Sequence, residues 1–222
     1  MRYIKYLLAI TIAAYTGLTT AQEYVAPASG KGPAVIIISG VSGTALYQDY
    51  AAAVAALGYT AVLISGKDVG IKDDRSGTNL RRFIAATQSD SRVVSGKVGV
   101  IGFSLGGGGA LLHAASMRET VSLVVAYYPS VTNMQSIASA GRNVSIPTLI
   151  LAGGKDRYNN CCLVESIQEF ESASRTAERL VELVVYPNAD HGFNLKVPAY
   201  RSEDAADAWA RVKTMLAKHV PM

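Results

Sequence analysis

Gly102-Phe103-Ser104-Leu105-Gly106, together with its flanks, constrains this chain more than any other stretch. Lys97-Val98-Gly99-Val100-Ile101 before it is short, apolar and rich in β-branched residues, the pattern of a buried strand. Gly107-Gly108-Gly109-Ala110-Leu111-Leu112-His113-Ala114-Ala115 after it predicts a helix packed closely on its neighbours. A chain passing from such a strand into such a helix must turn sharply, and a serine at the apex points its hydroxyl out of the sheet. Glycine two residues to either side avoids a Cβ where neighbouring backbone leaves no room. The Leu105 N–H then falls at a helix N-terminus, where partial positive charge favours a developing oxyanion. G-x-S-x-G alone is a weak pattern, but framed by a strand and a helix it predicts a nucleophile elbow with Ser104 as the attacking group.

The rest of the chain alternates in the same way. Pro33 to Ser39, Thr60 to Ser65, Ser122 to Tyr128, Pro147 to Ala152 and Leu180 to Tyr186 read as apolar strands. The first is the unbroken apolar type found in the middle of a parallel sheet. Helical patterns run from Tyr47 to Leu57, from Thr78 (expected to cap its helix) to about Gln88, from about Cys162 to Ser174, and from about Ser202 onward. Strand–helix alternation of this kind predicts a three-layer α/β fold with a mostly parallel sheet. Gly66 to Gly77 and Ser130 to Ile146 read as loops at strand ends, the edge at which open α/β sheets bind ligands. The second is too short to hold a cap domain.

A chain of 222 residues with 50% hydrophobic and 17% charged residues is sized for one well-buried domain, and disorder is excluded. Residues 1–21 have the form of a secretory signal peptide: Arg2 and Lys5 supply a positive start, Tyr6 to Leu18 an apolar run, and Thr19-Thr20-Ala21 a small-residue cleavage site. The apolar run falls short of the ~20 residues a membrane span needs. The mature domain is therefore expected to be 22–222, exported to the periplasm or medium without a stable membrane anchor. Beyond the leader, 19 basic residues face 17 acidic ones with no basic run, so nothing points to nucleic acid. Two adjacent cysteines, Cys161 and Cys162, could pair with each other, stay free or link two chains. With three histidines in all, no metal-ligand spacing is recognisable, and no cofactor or metal is expected.

A serine hydroxyl needs a base, normally histidine. His113 lies nine residues beyond Ser104 on the same predicted helix; at ~1.5 Å per residue it is about 13 Å away. His219 lies in a tail expected to fray. His191 remains, in Asn188-Ala189-Asp190-His191-Gly192-Phe193, directly after the last apolar strand and so on the sheet edge of Ser104. Asp156 follows another strand through Gly153-Gly154-Lys155 and is the expected partner of His191. Asp190 is its competitor, but would have to curl back onto its own neighbour. The chain order Ser104, Asp156, His191 is that of the α/β hydrolases. The second oxyanion donor is expected from Ser39-Gly40-Val41-Ser42-Gly43, with Val41 the choice and Gly40 the alternative.

On these residues the chain resembles the dienelactone hydrolase family. The resemblance rests on Gly102-Phe103-Ser104-Leu105-Gly106-Gly107, Tyr127-Tyr128-Pro129, Gly153-Gly154-Lys155-Asp156 and Asp190-His191-Gly192-Phe193, and the ending Ala205-Ala206-Asp207-Ala208-Trp209 is also similar. It implies a compact, capless α/β-hydrolase fold and action on esters and lactones. Two departures stand out. The family's name-giving enzymes carry a cysteine nucleophile where Ser104 stands, and a His-Glu-x-x-Gly oxyanion loop where Ser39-Gly40-Val41-Ser42-Gly43 stands. A serine paired with His191 needs no such glutamate, so the departures agree with each other.

The expectation is an exported serine hydrolase that cleaves small carboxylic esters or lactones through a Ser-His-Asp triad and an acyl-enzyme. The same machinery directed at amides or thioesters, or at acyl transfer, is the nearest alternative; a periplasmic accessory protein with lapsed catalysis is another. Tyr47, Phe103, Tyr127, Tyr128 and Phe193 are candidates for a substrate wall. Lys67, Arg75, Arg81 and Lys196 are candidates to meet a substrate carboxylate.

Overall fold

The computed structural model describes residues 22–222 except 73 and 176–179; the expected signal peptide lies outside the described residues. Seven strands form one sheet: β1 (Glu23–Val25), β2 (Ala34–Ile38), β3 (Thr60–Ile64), β4 (Val98–Phe103), β5 (Val121–Tyr127), β6 (Thr148–Gly153) and β7 (Val181–Tyr186). Their spatial order is β1-β3-β2-β4-β5-β6-β7, and every pairing is parallel except the antiparallel contact of β1 with β3. The sequence explains the order of burial. Strands β2 to β6 are built almost wholly of aliphatic residues and are covered on both faces, whereas the edge strand β7 carries Glu182 and is partly exposed.

Helices α1 (Gln48–Ala56) and α7 (Ser202–His219) cover one face, packing Val54, Val212 and Leu216 on Val35, Ile37 and Ile101. On the other face lie α2 (Gly66–Val69), α3 (Thr78–Gln88), α4 (Leu105–Leu112), α5 (Ile137–Arg142) and α6 (Val164–Ser174), burying Leu80, Ile84, Leu111 and Phe170. The predicted three-layer α/β architecture, an α/β-hydrolase fold with a mostly parallel sheet, is therefore the one found. No helix among the described residues is long and apolar enough to cross a membrane.

Several local expectations change. Thr78 is the first residue of α3 rather than its cap; Gly77, at φ 69°, precedes it, and the buried Asp74 carboxylate accepts from the Leu80 N–H instead. The Gly66–Gly77 segment is not all loop, because Ser65 caps the short α2 through the Lys67 N–H. The 130–146 segment contains α5, which folds down onto α6 so closely that a Cβ on Gly141 would strike the Phe170 carbonyl. It is not a lid. His219 ends α7 rather than fraying. His113 caps the far end of α4, buried among Gly77, Asp74 and Arg81, and burial lowers its pKa.

Candidate active site

β4 ends at Phe103 and α4 begins at Leu105, leaving Ser104 alone at the turn with φ 52° and ψ −113°. Positive φ in a serine costs on the order of 1–3 kcal/mol, so surrounding bonds must hold it. The Ser104 N–H donates to the Tyr127 carbonyl at 3.0 Å, and the Ser104 carbonyl accepts from Gly108 and Ser130, each at 2.9 Å. The glycines act as the sequence suggested. A Cβ on Gly102 would run into the Gly106 carbonyl, and one on Gly106 would lie 2.5 Å from the Ser39 carbonyl. Gly106→Ala must therefore push α4 away from β2. Overpacking of this kind costs roughly 1–3 kcal/mol, a fall in Tm of about 3–10 °C, measurable by calorimetry alongside a loss of activity from the displaced elbow.

His191 follows β7 in a turn closed by Gly192 at φ +81°, and Asp156 follows β6. Parallel pairing of β4, β5, β6 and β7 carries all three residues to one sheet edge. His191 Nε2 is 3.0 Å from Ser104 Oγ, and His191 Nδ1 is 2.7 Å from Asp156 Oδ2. Asp156 is fully buried, and its Oδ1 accepts from the Tyr158 N–H at 3.0 Å. Both carboxylate oxygens are thus occupied, which fixes the one that faces the imidazole. The rival Asp190 accepts from the His191 backbone N–H at 2.7 Å and does not reach the ring. His113, at the far end of α4, and His219, at the end of α7, lie elsewhere.

Leu105 heads α4, and Val41 lies in the loop after β2, 47% exposed. Among the described residues neither N–H donates to a backbone carbonyl. Gly40 lies against the site, since a Cβ there would be 3.4 Å from Ser104 Cβ; its N–H faces the Tyr47 hydroxyl. Burial raises the Tyr47 pKa more than the Gly40 and Ser42 hydrogen bonds lower it, so that hydroxyl stays neutral.

The wall candidates are mostly core. Phe103, Tyr127, Tyr128 and Phe193 are buried and packed on one another, with Phe103 and Tyr127 stacked at 4.8 Å. Tyr128 backs the histidine, its ring 4.6 Å from His191 and its hydroxyl donating to Asn194 Oδ1 at 3.0 Å. The aromatic group missed by sequence reasoning is Tyr158, half-exposed and stacked on the His191 imidazole at 4.5 Å and 11°. Its place two residues beyond Asp156 was the available signal, but spacing does not give a ring's direction. Of the carboxylate candidates, Lys196 pairs with Asp49 at 2.7 Å and Arg81 donates to the Ser76 carbonyl, so neither is directed at Ser104. A cleft of about 640 Å³ between α1 and α7, lined by Tyr50, Leu195 and Trp209, contains none of the three central residues. Cys161 and Cys162 form a disulfide with each other, one of the states the sequence left open.

Fold and geometry define an α/β hydrolase with a serine, a histidine and an aspartate in hydrogen-bonding sequence at the sheet edge. The dienelactone hydrolase family model matches residues 67–220, and the chain belongs to that family. A carboxymethylenebutenolidase-like protein of Escherichia coli K12 is 34% identical over 120 residues, 51% of this chain and 43% of the relative; the chain spans under half of that relative's length. Among solved structures, a dienelactone hydrolase-type protein from Klebsiella pneumoniae superposes with a TM-score of 0.76 at 22% identity, covering 89% of this chain and 92% of the other. A dienelactone hydrolase-like promiscuous phosphotriesterase from metagenomic libraries gives 0.74 at 17% identity, covering 89% and 92%. At these identities the likeness speaks for the fold alone.

Proposed function

We propose that this protein is an exported serine hydrolase of small carboxylic esters or lactones. The observation that carries the reading is the unbroken relay from Ser104 Oγ through both nitrogens of His191 to the buried Asp156. Ser104 Oγ attacks the acyl carbon as its proton passes to His191 Nε2, and Asp156 stabilises the imidazolium through Nδ1–H. The Leu105 and Val41 amides receive the oxyanion, one at a helix N-terminus and the other from the small-residue loop after β2. His191 then protonates the departing alcohol, and water taken up by the same base releases the acid from the Ser104 acyl-enzyme. The complete bonding geometry favours this reading over a lapsed accessory role, and reaction with a serine-directed probe separates the two. Amide or thioester cleavage would use the same groups and is separated from ester cleavage only by assay.

Substrate size follows from the missing cap. The 130–146 segment starts on the Ser104 backbone and lays its one helix, α5, on α6, too short a stretch to make a cap domain, so most of a long acyl chain would remain in water. A deep tunnel would reward each methylene with up to roughly 0.8 kcal/mol; an uncapped site stops doing so after a few carbons. On p-nitrophenyl esters kcat/KM is expected to peak at short acyl chains, about C2 to C6, with no interfacial activation. A rate still rising through dodecanoate, or jumping as substrate forms micelles, would refute the uncapped site.

Export is proposed from the charge and hydropathy pattern of residues 1–21. N-terminal sequencing of protein from its native host should begin near Gln22. Met1 retained in a membrane fraction would contradict it.

A further inference from the structure

The loop that carries Asp156 touches His191 more than once. Asp156 bonds the ring, Tyr158 stacks on it, and the Cys161 and Cys162 sulfurs lie so near that both and a ring nitrogen fall within 4.8 Å of one another. The loop is held by more than its disulfide. The Cys161 carbonyl accepts from the Val131 N–H at 3.0 Å and from the Thr132 hydroxyl at 3.1 Å, and that hydroxyl also reaches the Asn160 carbonyl. A bond between adjacent residues restrains little chain entropy, so opening it leaves the fold in place. Cys161 is partly exposed and gives a reductant access; Cys162 is buried.

We propose that reduction of Cys161–Cys162 creates a site for a thiophilic divalent cation of the Zn²⁺ class, held by the two thiolates and the His191 imidazole, and that the bound ion silences the enzyme. A phosphine reductant takes oxygen from water and leaves as phosphine oxide, while the two sulfurs gain two electrons and two protons. The cation then displaces the two thiol protons and takes a lone pair from the imidazole; water completes the shell. Tetrahedral zinc holds sulfur at about 2.3 Å and nitrogen at about 2.0–2.1 Å, so donors already within 4.8 Å of one another need only a small side-chain adjustment. Soft thiolates select this class over Mg²⁺ or Ca²⁺. Both ring nitrogens are already engaged, Nε2 with Ser104 and Nδ1 with Asp156. An ion at either nitrogen removes one of those partners. The silencing rests on the proposed role of His191, whereas the binding does not.

The two parts are therefore measured separately. Ser104→Ala protein, reduced with a phosphine and titrated with Cd²⁺, should bind one ion per chain and develop the cadmium–thiolate ultraviolet band. The oxidised protein should show none. Adding His191→Ala should weaken binding at least about tenfold, and Cys161→Ser should abolish the one-to-one site. With the reduced wild-type chain, one equivalent of Zn²⁺ should stop hydrolysis of p-nitrophenyl acetate, a chelator should restore it, and Mg²⁺ should do nothing. Absence of the band in the reduced protein, or equal affinity with and without His191, would overturn the site. Equal inhibition of the oxidised wild type would overturn the silencing, because the ion would then act elsewhere. Failure of the oxidised, metal-free wild type to cleave esters would count against the hydrolase reading and leave the cadmium result standing.

Discussion

Ser104→Ala is expected to lower kcat for short esters by about 10³-fold or more, with His191→Ala costing a similar factor and the double variant little beyond either. The expectation follows from the 3.0 Å contact between Ser104 Oγ and His191 Nε2. An imidazole with no hydroxyl to deprotonate contributes nothing through that route, and a hydroxyl with no base is a poor nucleophile near neutral pH. Either loss therefore removes the same step. Activity left in all three variants would come from the oxyanion donors and substrate binding, which none of the substitutions touches. Losses that multiplied in the double variant would mean that the two side chains act independently. Both truncated side chains lie at the sheet edge rather than in the layers beneath it, so an unchanged circular dichroism spectrum should accompany the kinetic loss.

Asp156→Asn is expected to lower kcat by about 10²- to 10⁴-fold while leaving KM for short esters nearly unchanged. Asp156 Oδ1 accepts from the Tyr158 N–H, which directs the carbonyl oxygen of an asparagine to that position. Its NH₂ group then faces His191 Nδ1, where Oδ2 now lies at 2.7 Å. Nδ1 can only accept from an amide, so the proton moves to Nε2 and the imidazole no longer takes the Ser104 proton. The buried negative charge that stabilises the imidazolium is lost as well. Steady-state kinetics on p-nitrophenyl acetate measures both parameters, and a variant within a few-fold of wild type would remove Asp156 from the mechanism.

The central strands and the meeting of Ser104, His191 and Asp156 at one sheet edge were legible because each leaves a strong local trace. Ala34–Ile38 and Val121–Tyr127 are runs that only a sheet covered on both faces accommodates, and Ser104 is framed by glycines whose missing Cβ atoms the fold requires. His191 and Asp156 were found by elimination and by their places after apolar strands, a rule of topology rather than of pattern. What escaped was short or depended on distant partners. Glu23–Val25 is too brief for a period-2 signal and is a strand because β3 offers it an open edge. The α3 cap was misread because Thr78 is a good capping residue by type, while the Leu80 N–H is served by Asp74 from an earlier loop. Of the wall candidates only Tyr128 meets the histidine, its ring 4.6 Å away. Phe103 and Tyr127 stand near the site in sequence yet pack with the buried aromatics, while a second ring beside the histidine comes from Tyr158, on the loop that ends in Cys161–Cys162.

The claim at the centre is that Ser104 is a nucleophile activated by His191. A fluorophosphonate probe tests it without any knowledge of the natural substrate, because it phosphonylates a serine only where a base takes the proton and amides hold the developing oxyanion. Intact-mass spectrometry of the purified protein should show a single adduct, and peptide mapping should place it on Ser104. Ser104→Ala should show no adduct, and His191→Ala should label at least about a hundredfold more slowly. A wild-type chain that stays unlabelled under conditions that label a competent serine esterase, or that carries its adduct on another residue, would contradict the account.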